Sequence, residues 1–378
     1  MKLNKTIIIG AGISGLACAR TLSKNGEDFI IISKDIGGRI LTSQDGKVNY
    51  GAFFVCSDYD NVLKFVKLKS QIRLRDFCFH EGNKTFVLFE PKILKYFFQF
   101  VNVLKLLYKF RKAFRKLRKN SETISQKKAI EKDNFLHYLY MQNAAEFVKR
   151  YNIESGTKTY LAKGLYSTTF STINEMNAFS FLQFISPLIT PIYRFSFEKE
   201  KMIQPFQENI LTDHVNDIIY KNGLYKIKTK ENIFQSKNIV FATEIKWSKR
   251  FARVNKTNLP INTNMLHIKG DPKKIISRKN YQLFNPPDNV QAIADLNDGT
   301  YLLYYKDKQP ILTHFFDNPQ ILAHKYWNPA GTINGHTLIE SNRGNNMYLI
   351  GDFNIAGLEE SYITGIYAAN QIINSKCK

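Results

Sequence analysis

Residues 6–15 read TIIIGAGISG, and this stretch decides the fold. Four consecutive β-branched residues mark a buried parallel strand. Gly10, Gly12 and Gly15 follow at once in the spacing GxGxxG. At a strand-to-helix turn the first glycine makes the bend. The second lets a diphosphate approach the backbone, and the third lets the helix pack closely on the strand. The helix that opens at Ser14 is expected to reach about Asn25, with Leu16, Ala19 and Leu22 inward and Gly26 ending it. Its N-terminus offers unpaired N–H groups and partial positive charge to phosphates. DFIII over 28–32 supplies the second strand of a βαβ unit. A dinucleotide is therefore the expected ligand, with Gly10, Gly12, Ser14 and Gly15 around its phosphates.

The second strand of such a unit normally ends in an acid that bonds the ribose. Here it ends in Ser33, Lys34 and Asp35. Three readings stay open. Ser33 can accept a ribose hydrogen bond, Ser33 with Lys34 suits a 2′-phosphate and hence NADP, and Asp35 can replace the acid if the turn is displaced.

A chain of 378 residues exceeds what one hydrophobic core usually serves, so two packed domains are expected. Its 44% hydrophobic content excludes global disorder. The 29 Phe and 20 Tyr suit a deep apolar cavity as well as a Phe-rich core. With 54 Lys and Arg against 32 Asp and Glu, the formal charge is +22, which favours anionic partners. No zinc-knuckle spacing or nucleic-acid-binding motif accompanies that charge, so nucleic acid is not an expected partner. Cys18, Cys56, Cys78 and Cys377 are scattered without a CxxC pair. That pattern predicts a reducing, cytoplasmic setting without disulfides or a metal site. The first apolar run is too short and glycine-rich for a signal peptide. No run of 18 apolar residues predicts a spanning helix.

Further on, Lys92 to about Arg150 reads as helical. Within it Val103, Leu107, Phe110, Phe114 and Leu117 form one stripe, and Lys105, Lys109, Lys112, Lys116 and Lys119 another. The helix 103–119 is either a domain helix with a solvated lysine face or a peripheral contact with an acidic membrane. Residues 205–245 return to strands, with LYKIKTK alternating at period two and KNIVFATE buried. MLHIKG and TYLLYYK read as further strands. The segment from Met347 closes the chain as strand, polar loop and helix.

Gly37-Gly38-Arg39 follows the second strand, and here the chain resembles the flavin amine oxidases, protoporphyrinogen oxidases and phytoene desaturases. Gly51-Ala52 is similar to that family's Gly-Ala pair beside the isoalloxazine ring. Gly351-Asp352 resembles its late strand end, whose Asp bonds the ribityl chain. Glu359-Glu360-Ser361-Tyr362-Ile363 opens a helix like the one aimed at the flavin. Glu360 and Ser361 stand where the family usually has Gly and Ala. Val215, in the stretch Asn209 to Ile218, resembles the adenine contact, and Ala242 a turn passing the diphosphate. The resemblance covers about a third of the chain.

It implies an α/β fold, with a discontinuous FAD-binding Rossmann-like domain and an α+β substrate domain. The implied FAD-binding pieces are 1–80, 205–250 and 335–378, and the substrate pieces 81–204 and 251–334. It implies FAD as cofactor, held by Gly10, Gly12, Ser14, Gly15, Ser33, Lys34, Gly38, Arg39, Gly51, Ala52, Val215, Ala242, Gly351, Asp352, Ser361, Tyr362 and Ile363. The implied reaction is hydride removal from a substrate C–H to flavin N5, either of an amine or in desaturation of a C–C bond of a small, hydrophobic substrate. No catalytic side chain is assigned; Trp327, Tyr326 and Lys269 are the pocket candidates, and His267 reads as structural. Two rivals stand beside this: an NADP-dependent reductase, and a non-catalytic carrier resembling the Rab GDP-dissociation inhibitors.

Overall fold

The computed structural model describes residues 3–276, 278–286 and 288–375. The TIII run lies in the strand Leu3–Gly12, inside a seven-stranded sheet. Ile8 feeds the apolar cluster on one face, while Ile7 and Ile9 feed the cluster on the other. Both faces are covered, which is why the run is continuously apolar instead of alternating. Phe29–Gly37 pairs parallel on one side and Ile233–Phe241 parallel on the other. Ile210–Thr212 continues the sheet beyond the former, and Met347–Leu349 pairs parallel with the latter. The glycine turn thus sits at the carboxyl end of a strand whose neighbours diverge, where α/β sheets open a crevice for ligands.

Two expectations change here. The stretch 209–218 is not one strand: Ile210–Thr212 extends the parallel sheet, and Val215–Lys221 turns away into an antiparallel hairpin with Leu224–Thr229. The second strand also runs on past Ile32. Ile9 faces Ile32 but Ala11 faces Ile36, so Ser33-Lys34-Asp35 form a bulge between them.

The two ends of the chain meet. The C-terminal helix Leu358–Asn374 packs along the opening helix Ile13–Lys24. Ala17, Cys18, Ala368 and Ala369 are fully buried. A Cβ at Gly365 would stand 2.2 Å from the Ser14 carbonyl oxygen and 2.8 Å from the Ala17 Cβ. The Gly351 N–H donates to Thr364 Oγ1 at 2.9 Å, tying the late strand to the same helix.

The other half is built on a second seven-stranded sheet. Leu259–Pro272 lies between Phe316–Asn334 and Thr300–Tyr305, followed by Val290–Asp295, Tyr281–Leu283, Phe77–Glu81 and Lys84–Val87. The helices Phe97–Asn120, Asn134–Met141, Ala144–Arg150 and Ala178–Ile185 contribute to a third apolar cluster. Val103, Leu107, Phe110, Phe114 and Leu117 are all buried in it, so the apolar stripe of the basic helix is core.

The halves exchange strands near the expected boundaries. Phe77–Glu81, which straddles the boundary at 80–81, pairs with Tyr281–Leu283 in the second sheet. Ile192–Phe197, before residue 205, joins Phe54–Cys56 and Val66–Ile72 in a small third sheet. Among the described residues no helix is long and apolar enough to cross a membrane. Cys18, Cys56 and Cys78 are free and buried, and Cys377 lies outside the described residues.

The helix crossing gives a direct test. Gly365→Val should cost about 3 kcal/mol or more, because its neighbours at under 3 Å include rigid backbone. Gly164→Ala has open space at its Cβ and should stabilise by about 0.5–1 kcal/mol. Denaturant unfolding of both variants checks the contrast.

Candidate functional site

A cavity of about 1020 Å³ runs from the glycine turn into the second half of the molecule. Gly10, Gly12, Ser14, Ser33, Lys34, Gly38, Arg39, Gly51, Ala52, Val215, Ala242, Gly351, Asp352 and Ser361 line it. So do Tyr326 and Trp327. The opening glycines divide their work as the turn requires. Gly10 has φ +102° and would collide with the Ala242 carbonyl oxygen at 2.5 Å if it carried a Cβ. Gly12 faces open space, with no atom within 4 Å of a Cβ position. Gly15 would put a Cβ 2.1 Å from the Gly10 carbonyl oxygen, so it is a packing residue and does not line the cavity.

Midway along, residues distant in sequence lock together. The Ala52 N–H donates to the Arg39 carbonyl at 3.0 Å, and the Tyr50 N–H to that of Leu41 at 2.8 Å. A Cβ at Gly51 would lie 2.0 Å from the Arg39 carbonyl oxygen and 3.3 Å from the Trp327 ring. The Trp327 indole N–H donates to the Tyr50 carbonyl at 3.1 Å. Tyr50 Oη lies 3.3 Å from His267 Nδ1, and His267 Nε2 lies 3.0 Å from Thr300 Oγ1. His267 is thus a satisfied, buried residue that anchors the Gly-Ala hairpin to the second sheet, and burial pushes its pKa down.

Arg39 reaches across 313 residues to Asp352. Its two terminal nitrogens meet the two carboxylate oxygens at 2.6 Å each, and one also donates to the Ala330 carbonyl at 3.1 Å. Such bidentate geometry fixes both groups. Burial opposes the Asp352 charge, but Arg39 outweighs it and holds the carboxyl below its usual range. The Arg39 side chain is half-exposed, and Asp352 with Glu244 keeps its pKa raised. Asp352 therefore adds stability above pH ~4 and loses it as pH falls through its lowered folded pKa.

At the end of the second strand, where an acid would meet a ribose, the Ser33 hydroxyl is engaged by backbone. Ser33 Oγ accepts from the Ala11 N–H at 3.1 Å and donates to the Asp35 carbonyl at 2.7 Å. Its hydroxyl holds the bulge in place. Lys34 and Asp35 are exposed at the cavity edge beside Asp213 and His214.

At the start of the C-terminal helix, both acids turn inward. Glu359 accepts from the N–H groups of Asp60, Asn61 and Val62 and caps the short helix Val62–Phe65. Burial raises its pKa despite those bonds. Glu360 meets Arg118 Nε at 2.8 Å and a terminal nitrogen at 2.7 Å, and Arg118 also reaches Asp58 at 3.4 Å. Glu360 is 1% exposed and Arg118 8%, so neither is solvated. Glu360 itself does not line the cavity, although its partners Arg118 and Asp58 do.

Four sequence candidates lie off the cavity. Gly15 packs the turn. Tyr362 stacks on Phe65 at 6.1 Å, and Ile363 is buried beside it in the chain. Lys269 is exposed, on a strand facing Thr300 and Gln320, while Lys325 on the neighbouring strand lines the cavity instead. Sequence reasoning missed Phe53, Phe77, Phe170, Tyr281, Leu283 and Tyr304, which line the inner chamber. Period-two spacing marks Tyr281 and Leu283 as sharing one strand face, but not which face meets the cavity.

Glu360→Gly should destabilise the protein by about 3–5 kcal/mol by leaving Arg118 buried without its nearest acid. Adding Arg118→Leu should recover most of the loss. Chemical denaturation of the single and double variants measures both.

Comparison with known proteins bears on the fold. Residues 8–67 match the family described as NAD(P)-binding Rossmann-like domain. No curated protein sequence matches the chain. Among solved structures, a putrescine oxidase double mutant is similar at TM-score 0.69 and 10% identity, over 98% of this chain and 99% of that one. A CLA-producing fatty acid isomerase from P. acnes gives 0.68 and 13%, over 98% of each chain. Cyclohexylamine oxidase from Brevibacterium oxydans gives 0.63 and 13%, over 99% of this chain and 100% of that one. Residues 8–67 thus match an NAD(P)-binding Rossmann-like domain, and from end to end the chain has the α/β fold of these solved oxidases and isomerase.

Proposed function

We propose that this protein binds FAD and oxidises a small hydrophobic molecule at a C–H bond. The observation that carries the reading is the continuity of one cavity, from the open face of Gly12 past Arg39, Gly51 and Asp352 to an aromatic chamber. The residues present fit the cofactor. Gly12 leaves backbone bare for a diphosphate, and the helix behind it presents its N-terminus. Val215, Lys34 and Asp35 border the nucleotide end; Gly51, Ala52 and Ser361 border the far end with small side chains. Asp352 and Arg39 offer an acceptor and donors at the middle. When bound, FAD supplies the acceptor for a hydride.

The chain's own part is positioning and exclusion of water. Phe53, Phe170, Tyr281 and Tyr304 give the chamber apolar walls. Burial pushes the Tyr281 phenol up to about 12 and that of Tyr304 higher still, so both stay protonated and neither is a base near neutral pH. The nearby acids Asp58 and Glu360 are compensated by Arg118. A neutral hydrophobic substrate therefore suits this chamber better than a cationic amine. Trp327, locked to Tyr50 and lying on Gly51, is the residue best placed to orient it.

Calorimetric titration with FAD and with NADPH tests the reading. Saturable FAD binding should occur, and Gly12→Val should weaken it at least about tenfold without lowering the melting temperature. NADPH binding in preference to FAD would support the reductase. Indifference to both, with apolar ligands still bound, would support the carrier.

A further inference from the structure

The helix Phe97–Asn120 has a second use that its buried stripe does not explain. Between Pro91 and Ser121 the chain holds ten Lys and Arg and no Asp or Glu. Outward positions recur at 97, 98, 104, 105, 108, 109, 112, 115, 116 and 119, one stripe along a helix about 36 Å long. That stripe is divided along its length. Its N-terminal part exposes Phe97 at 57%, Phe98 at 81% and Tyr108 at 61%, next to Leu94 at 71% and Phe89 at 67% in the preceding turn. Its C-terminal part is basic: Lys112, Arg115, Lys116 and Lys119, none of which pairs with an acid among the described residues. The inward side of the same helix carries Phe110, Arg111 and Phe114 to the cavity.

Isolated apolar residues on a surface mean little, but Phe89, Leu94, Phe97 and Phe98 are exposed within ten residues of chain, with Tyr108 about 15 Å further along the helix. An aromatic cluster continued by unpaired cations matches a surface that is apolar within and anionic at its rim. We infer that this face docks on an anionic phospholipid bilayer, with Phe89, Leu94, Phe97 and Phe98 entering the headgroup boundary and the lysines meeting lipid phosphates. The assignment corrects which residues touch lipid: they are not the 103–117 apolar stripe, which is core. It stands independently of the cofactor reading. Duplex nucleic acid would use the cations but would leave Leu94 and the phenylalanines beside it unmet.

Sedimentation of the full chain with vesicles tests the inference. Vesicles of phosphatidylcholine containing about a third phosphatidylserine should retain the protein at least tenfold better than phosphatidylcholine alone, and less as salt rises. Lys112→Glu with Lys116→Glu and Lys119→Glu should abolish that preference, each change being worth roughly fivefold. Phe97→Ser with Phe98→Ser should weaken binding that persists at high salt. Circular dichroism melting controls for folding, since all five positions are exposed. Failure to sediment with either vesicle, or variants that bind like wild type, would overturn it. So would retention on duplex DNA or RNA with none on vesicles.

Discussion

The structure depends on the contact between its first and last helices. Gly365 lets the backbone of Leu358–Asn374 come within reach of Ser14, Ala17 and Cys18, where even one Cβ would stand too close. Everything at the site inherits its position from that crossing. It sets Gly351 and Ser361 opposite the glycine turn, so the cavity acquires walls from both ends of the chain. Thr364 then bonds the strand end to the helix, fixing where Asp352 emerges. Burial presses the Cys18 thiol at this crossing to a raised pKa, so it acts as a small packing group and not as a nucleophile.

Charge compensation does the next part of the work. Arg39–Asp352 ties the residues after the second strand to those after the last one. Arg118, drawn from the long helix of the second half, neutralises Glu360 at the head of the C-terminal helix. Each pair joins segments more than two hundred residues apart, and loss of Arg39 or Arg118 would leave Asp352 or Glu360 as a poorly solvated charge. The second pair also explains how a glutamate can stand buried at the head of this helix. The side chain has a cation of its own to meet, so it does not project into the cavity. His267 and Trp327 play the neutral counterpart, holding the Gly51-Ala52 hairpin between them.

Much of this was legible in the residues because its physics is local. The β-branched run, the glycine spacing and the small-residue helix each constrain their own backbone, and the strands and helices formed where those patterns stood. The ribose bulge was not legible. Ser33 looks like a weak replacement for an acid until its hydroxyl is seen bonding Ala11 and Asp35. Nor could spacing show that residues 209–218 would divide between a parallel strand and a hairpin, since both halves are extended. Lys269 was chosen by distance along the chain, but the register of its strand turns it away from the cavity. The basic helix carried two meanings: its apolar stripe is read correctly from periodicity as core, while its exposed aromatics lie off that stripe and before it.

The central claim is that the two ends together enclose one dinucleotide-and-substrate cavity. A crystal structure of the protein grown with FAD tests it most directly. Continuous ligand density should run along Gly12, Arg39, Gly51 and Asp352. Density for FAD elsewhere on the surface, or a crystal whose C-terminal helix does not lie on Ile13–Lys24, would contradict it.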